Sequence, residues 1–412
     1  MNNQFLNLAI AIVVFVSLPS IAQENTSIEK YITGSIHSET LNEERDFWVQ
    51  LPDTYRTNSE EKYPVIYLID GISLESQLKL VYDNYWGHYM PHMILVGISN
   101  RENRNRDLTP TKIETRRGAA MTSETGESAN FRKFIAEELI PYIDSNYRTS
   151  DYRTLIGHSY GGLFVVETLI EQPELFNNYI AADPSLEWDN QVLVSRAKNK
   201  ELDLNGRSLF ISMAAEQLHM FDESVTVQNF REDTSEFTLF SRSIADFGDI
   251  ASETKGLKFG FKIYTDELHG TIPLPTMIDG LQFVFNWFQF QHPQKYNNPE
   301  TSVKEIEELL SNQEKIYTEN YGYPSPPMVE ELFIGYGYMN MQMGSPEKAE
   351  LFFKNAIKYY PTSANAYDSY GEFLEGQEKF KEALSYAEKA YGISGSDYHK
   401  ERVASLASRI KQ

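Results

Sequence analysis

The chain has 412 residues, 41% of them hydrophobic and 13% aromatic, enough for two or three globular cores. Its formal charge of -22 at pH 7 repels a nucleic-acid backbone and anionic membrane surfaces, where binding depends on Lys and Arg displacing counterions. With no cysteine, thiol nucleophiles, thiolate metal sites and disulfide frameworks are excluded.

Residues Leu6 to Leu18 are almost wholly apolar and are followed by the small-x-small triplet Ser20-Ile21-Ala22. This is the pattern of an export signal with cleavage near Ala22, and an uncleaved anchor is the competing reading. The expectation is an exported, periplasmic or secreted protein that does not engage the membrane once residues 1–22 are removed.

From residue 23 to about 290, short apolar runs alternate with helical patterns. Arg45 to Leu51 alternates polar and apolar residues as a half-buried strand does. Val65–Ile69, Ile94–Ile98, Thr154–Ile156, Tyr179–Ala182, Leu209–Met213 and Lys258–Tyr264 are continuous runs, suited to strands covered on both faces of a parallel sheet. Ala129 to Asp144, Gly162 to Glu171 and Met277 to Phe290 carry apolar residues at helical spacing. The pattern predicts a doubly wound, mostly parallel α/β sheet with its chemistry at the carboxyl ends of the strands.

Residues 291–327 are rich in Pro and Asn around one amphipathic stretch, Thr301 to about Tyr317, and read as a linker with a helical strut. From 328 to 412 the chain repeats at a spacing of 34: Gly337 with Gly371, Ala349 with Ala383, Phe353 with Ala387, Ala356 with Ala390. That spacing predicts two tetratricopeptide-like units and a capping helix, Asp397 to Ile410, with a generic helical hairpin as the alternative. So short an array needs a docking partner: its own strut, the preceding domain, another copy or another protein.

The chemistry centres on Gly157-His-Ser-Tyr-Gly161, a G-x-S-x-G pattern between a strand and a helix, which presents Ser159 on a sharp turn as a nucleophile. A serine needs a base, and His269 lies in the loop after the last strand, where a hydrolase of this architecture carries it; His219 is the competitor. The chain order Ser, acid, His favours Glu216, just past the strand ending at Met213, ahead of Asp183 and Asp222. A Ser-His dyad is the remaining possibility. For the oxyanion the expected donors are the backbone N–H of Tyr160 and that of Ile72 or Gly71, in the turn after Val65–Ile69. Trp86, His88, Arg106 and Trp188 lie in loops that could line a substrate pocket. No ligand spacing implies a metal, and no cofactor motif is present.

Taken together, Val65-Ile-Tyr-Leu-Ile-Asp-Gly71, Arg106-Asp-Leu-Thr-Pro110, Glu138-Leu-Ile-Pro141, Gly157-His-Ser-Tyr-Gly-Gly162, Pro184-Ser185 and Glu267-Leu-His-Gly270 resemble an esterase family of α/β-hydrolases. It includes enterochelin-esterase-like, feruloyl-esterase-like and esterase D-like enzymes. The resemblance spans about residues 40 to 290 and implies hydrolysis of carboxylic esters through an acyl-enzyme, with Ser159 as nucleophile, His269 as base and Glu216 at the acid position. It implies a small-molecule or glycan-linked ester as substrate, a siderophore lactone among the candidates. The competing readings are an interaction protein that uses the helical repeats beside a vestigial hydrolase scaffold, and a peptidase on the same fold.

Overall fold

A computed structural model describes residues 29–55, 61–87, 89–116, 118–220 and 222–411. The expected signal segment, His88 and the side chain of His219 lie outside the described residues.

The chain opens with β1 (Tyr31–Ser38), β2 (Glu43–Gln50), β3 (Tyr63–Leu68), α1 (Gly71–Tyr85), β4 (Ile94–Ile98) and α2 (Arg104–Leu108). A small hairpin, β5 (Thr115–Arg116) and β6 (Ala119–Ala120), leads to α3 (Ser128–Phe134) and α4 (Ile140–Asn146). Then follow β7 (Thr149–His158), α5 (Tyr160–Glu171), β8 (Asn178–Ala182), α6 (Trp188–Asn199), β9 (Arg207–Ala214), α7 (Leu239–Glu253), β10 (Leu257–Tyr264) and α8 (Pro273–Val284). The expected helix from Ala129 to Asp144 is α3 and α4 joined by a π-helical turn, Ile135–Leu139. Pro141 explains the break, since it has no N–H to give the preceding turn.

The sheet order is β1-β2-β4-β3-β7-β8-β9-β10, antiparallel at β1, β2 and β4 and parallel from β4 onward. Successive residues of a strand face opposite sides, which is why the continuous apolar runs split between two cores. Val65, Tyr67, Ile94, Val96, Tyr179, Leu209 and Ile211 join the core beneath α3 to α7. Ile66, Leu68, Leu95, Ile180 and Phe210 join the core beneath α1 and α8. The result is a three-layer α/β-hydrolase fold in which Ser159 stands at the carboxyl end of β7.

The all-α extension comprises α9 (Val303–Tyr321), α10 (Glu330–Gln342), α11 (Pro346–Tyr359), α12 (Ala364–Gly376), α13 (Phe380–Ser394) and α14 (Asp397–Ile410). Helix α9 connects two cores: Ile306 and Leu310 pack with the helices that follow, and Tyr317 and Tyr321 pack into the hydrolase. Tyr317 donates to the Phe288 carbonyl at 2.5 Å and its ring lies 5.0 Å from that of Phe288. Tyr321 sits 4.8 Å from Trp287 and 5.4 Å from Tyr152. Tyr152 lies in the first half of β7, away from the Ser159 end, so the extension docks beside the amino ends of the strands. Ala349, Phe353, Ala356, Ala383, Ala387 and Ala390 are all fully buried between the helices. A Cβ on Gly337 would come within 2.6 Å of the Phe353 ring, which is why a glycine stands there.

Candidate active site

Three neighbouring strands each end in a non-glycine residue with positive φ: Asp70 after β3 (φ 57°), Ser159 after β7 (φ 59°) and Asp183 after β8 (φ 42°). Such backbone is costly for a residue with a Cβ and persists where surrounding contacts over-determine it. At Ser159 those contacts are visible. Its N–H donates to the Ala182 carbonyl at 3.0 Å, and its own carbonyl accepts from Leu163 at 2.9 Å and Ser185 at 3.1 Å. The flanking glycines answer to packing: a Cβ on Gly157 would lie 2.3 Å from the Gly161 carbonyl oxygen. The G-x-S-x-G pattern thus folds into a strand-to-helix elbow with Ser159 at its apex.

His269 follows β10, in the loop before α8. Its Nδ1 lies 2.7 Å from Asp183 Oδ2, and Phe240 packs edge-on against its ring at 5.4 Å. An ionised Asp183 accepts Nδ1–H, which leaves Nε2 of His269 as the basic nitrogen. Asp183 is fully buried and also accepts from Ala214 N–H at 3.0 Å. Burial pushes its carboxyl above the usual range, while the hydrogen bonds from His269, Ala214 and the Gln217 side chain oppose that shift. Ser159 Oγ lies 3.3 Å from Ser185 Oγ, itself buried.

The carboxylate on His269 is therefore that of Asp183, not Glu216. Glu216 is exposed, and its backbone N–H reaches the Glu267 carbonyl at 3.4 Å. The reason lies in strand order. β8 adjoins the elbow strand directly and β9 stands one place farther out, so the end of β9 contributes the Ala214 N–H to Asp183 rather than the acid itself. Asp222, the other carboxylate considered, is exposed and accepts from Ser224 N–H at 2.8 Å.

The pocket expectations divide. Trp188 is buried beside the elbow, 5.3 Å edge-on to Tyr160, with Nε1 donating to Thr111 Oγ1 at 3.1 Å. Trp86 lies just past the end of α1 and packs 4.6 Å from His92; a 15-residue helix spans about 22 Å, which carries it away from the elbow. Arg106 is held by Glu43 at 2.6 Å and Asp107 at 2.8 Å, tying α2 to β2 rather than presenting its charge to a substrate. Ile72 is exposed in the first turn of α1, and Gly71 is buried. Asp70, not Gly71, takes the left-handed turn there; Gly71 is needed because a Cβ would lie 2.5 Å from the backbone of Gly97 on β4.

Sequence reasoning missed two arginines beside the elbow. Arg116, from the β5–β6 hairpin, donates to the Tyr160 hydroxyl and to Glu187, and its guanidinium lies 5.0 Å from the Tyr160 ring centre. Arg104 lies 5.2 Å from the same ring. Both sit in a charge-rich stretch whose elements, α2 and β5, are too short to give a periodic signal. His158 also has a defined part: its Nε2–H donates to the His269 carbonyl at 2.7 Å, and burial, His269 and Arg104 depress its pKa to about 3. It is neutral at working pH and pins the loop that carries His269.

Residues 38–219 match the family described as "Putative esterase". The N-terminal unit is an α/β-hydrolase esterase domain. Over 208 residues, 46% of this chain and 72% of the relative, the esterase is 29% identical to the ferri-bacillibactin esterase BesA of Bacillus subtilis. The crystal structure of an IroE-like serine hydrolase from Shewanella oneidensis superposes with a TM-score of 0.62 at 26% identity, covering 80% of this chain and 99% of the other. An uncharacterised protein from Capnocytophaga ochracea shares the fold over 92% of this chain and 99% of its own, with a TM-score of 0.55 at 19% identity. The chain is a serine-type carboxylesterase, related to siderophore esterases, with a distinct all-helical extension. Its substrate is accordingly a small-molecule ester. Among the described residues no helix is long and apolar enough to cross a membrane.

Proposed function

We propose that Ser159, His269 and Asp183 form the catalytic triad of an exported esterase that opens siderophore-type ester or lactone bonds through an acyl-enzyme. The observation that carries this reading is the His269–Asp183 hydrogen bond, which fixes the histidine tautomer beside a strained serine elbow. Ser159 Oγ leaves Ser185 and attacks the ester carbonyl while His269 Nε2 takes its proton. The amides of Tyr160 and of Ile72 or Gly71 hold the oxyanion. His269 then returns the proton to the departing alcohol, and water, activated by the same nitrogen, releases the acid and restores the serine.

The substrate class is supported by the named specificity of a similar enzyme, ferri-bacillibactin esterase. Export rests on the apolar run Leu6 to Leu18. The helical extension, on this reading, serves stability and protein contact. Its docking beside the amino ends of the strands supports a role outside the chemical step.

The test is a panel of a ferric catecholate lactone, a feruloylated saccharide, an acetylated sugar and a simple short ester, each with the parent and Ser159→Ala. The catecholate lactone is expected to show the highest kcat/KM, and Ser159→Ala to turn over none of the four. Preference for a saccharide ester would overturn the substrate class; turnover by Ser159→Ala would overturn the nucleophile.

A further inference from the structure

Arg104 makes more connections around the elbow than a surface ion pair requires. Its Nε donates to Asp70 Oδ1 at 2.9 Å and its Nη2 to Asp70 Oδ2 at 2.8 Å, a two-pronged grip on the residue in the left-handed turn after β3. The same Nη2 lies 3.3 Å from the His158 carbonyl, the last residue of β7 before the nucleophile. The guanidinium also stands over the ring of Tyr160, the residue after it. Asp70 is anchored from a second side, its N–H on Asn100 Oδ1 at 3.3 Å, and its carboxylate lies against the elbow, with Oδ2 3.4 Å from where a Cβ on Gly161 would be.

The turn held in this way carries the amides of Gly71 and Ile72, at the first turn of α1. Ser73 and Leu74 already donate to the Asp70 carbonyl, at 2.9 Å and 3.2 Å, so the donors free for an incoming oxygen belong to the two residues before them. An oxyanion hole works only if its donors are spaced before the charge develops. Here one donor rides on the β3 turn and the other on α5, and nothing in the sheet ladder links those two peptides directly.

We propose that Arg104 is a positioning residue for the oxyanion hole: by clamping Asp70 to the end of β7, it sets the distance between the amide of Tyr160 and that of Gly71 or Ile72. This rests on the assignment of Ser159 as nucleophile. The planar fork of Arg can grip a carboxylate and reach a carbonyl at once, and a lysine ammonium cannot hold both in one plane. Arg104 thus differs from Arg106, whose carboxylate partners are Glu43 and Asp107 rather than Asp70.

Arg104→Lys, Arg104→Gln, Asp70→Asn and the double variant Arg104→Lys/Asp70→Asn are compared with the parent, using kcat normalised to titrated active sites. Each single variant is expected to lose about 10- to 100-fold in kcat, less than deletion of a whole oxyanion donor, with KM held within about threefold. Inactivation by an alkyl fluorophosphonate, whose tetrahedral adduct places an oxygen in the same hole, should slow by the same factor. The double variant should be no worse than the poorer single one, because both break one clamp. A purely structural role would lower the melting temperature and the titrated fraction, leaving normalised kcat at the parental value, and that result overturns the proposal. So does a rise in KM with kcat kept, which would make Arg104 a substrate contact, or losses that multiply in the double variant. Should Arg104→Gln fail to fold, Arg104→Lys, which keeps the charge, carries the test. Ser159→Ala in the same assay separates the two readings: turnover by that variant removes the nucleophile assignment, whereas its silence beside a fully active Arg104→Lys removes only the clamp.

Discussion

The two ends of the parallel strands are built on different terms. At the carboxyl end, Asp70, Ser159 and Asp183 each hold a positive φ that their side chains disfavour, and each is tied to a neighbouring strand or loop by hydrogen bonds. In the helical extension, positive φ falls on Gly322, Gly344, Gly395 and Glu378, each at or just past a helix end, where such a residue stops the helix. The proposed triad of Ser159, His269 and Asp183 converges at the first end, and the opposite end is filled by aromatic and alanine packing. The contrast implies that chemistry and stability can be damaged separately.

The largest effect at the far end is expected from Tyr321→Ala. Tyr321 is nearly buried between Trp287, Tyr152 and Tyr323, and loss of so large a buried ring costs about 3–5 kcal/mol. Urea unfolding should register that loss while kcat/KM per folded molecule stays at the parental value. A fall in kcat/KM of the folded fraction would show that the docked helices shape the active edge after all.

A smaller, pH-dependent effect is expected at His92, which lies beyond α1 against Trp86. Burial lowers its pKa from an ordinary 6.5 to about 4, so in that interval the unfolded chain takes up a proton that the folded chain does not. Its contribution is unfavourable to the folded state on the acid side: stability falls as pH drops through the window, by up to about 1.4 kcal/mol per pH unit for one such group. His92→Phe removes that slope, so the gap between urea midpoints at pH 7 and pH 5 should narrow. An unchanged gap would mean that His92 does not carry the acid sensitivity. His158, whose depressed pKa has the same sign, sits at the strained edge and is expected to add to the remainder.

Much of this arrangement is legible in the amino-acid sequence. Val65–Ile69, Ile94–Ile98 and Tyr179–Ala182 mark three of the sheet's strands because strands covered on both sides must be apolar throughout. The elbow at Ser159 and the loop position of His269 are readable because a strained turn needs its glycines and the loop follows a continuous strand run. The 34-residue spacing locates the helical hairpins because close helix packing demands small residues at fixed intervals. What the sequence leaves open depends on lateral order. Asp183 and Glu216 both follow strands at the right point in the chain, and only the neighbour relation of β7 to β8 separates them. α1 begins with glycine and has no side-chain N-cap, which hid a helix that carries Trp86 away from the elbow. Arg104 and Arg116 act through partners 34 to 71 positions distant, and no local pattern encodes such pairs.

The choice between Asp183 and Glu216 bears the weight of the account, since it is where the structure departs from the sequence reading. The direct measurement is kcat/KM on a single chromogenic ester for Asp183→Asn and Glu216→Gln. Asp183→Asn keeps the shape of the side chain but cannot hold the His269 tautomer or stabilise its charged form, and is expected to lose about 10³- to 10⁴-fold; Glu216→Gln, at an exposed position, should stay within about threefold of the parent. A silent Asp183→Asn beside a crippled Glu216→Gln would contradict the triad.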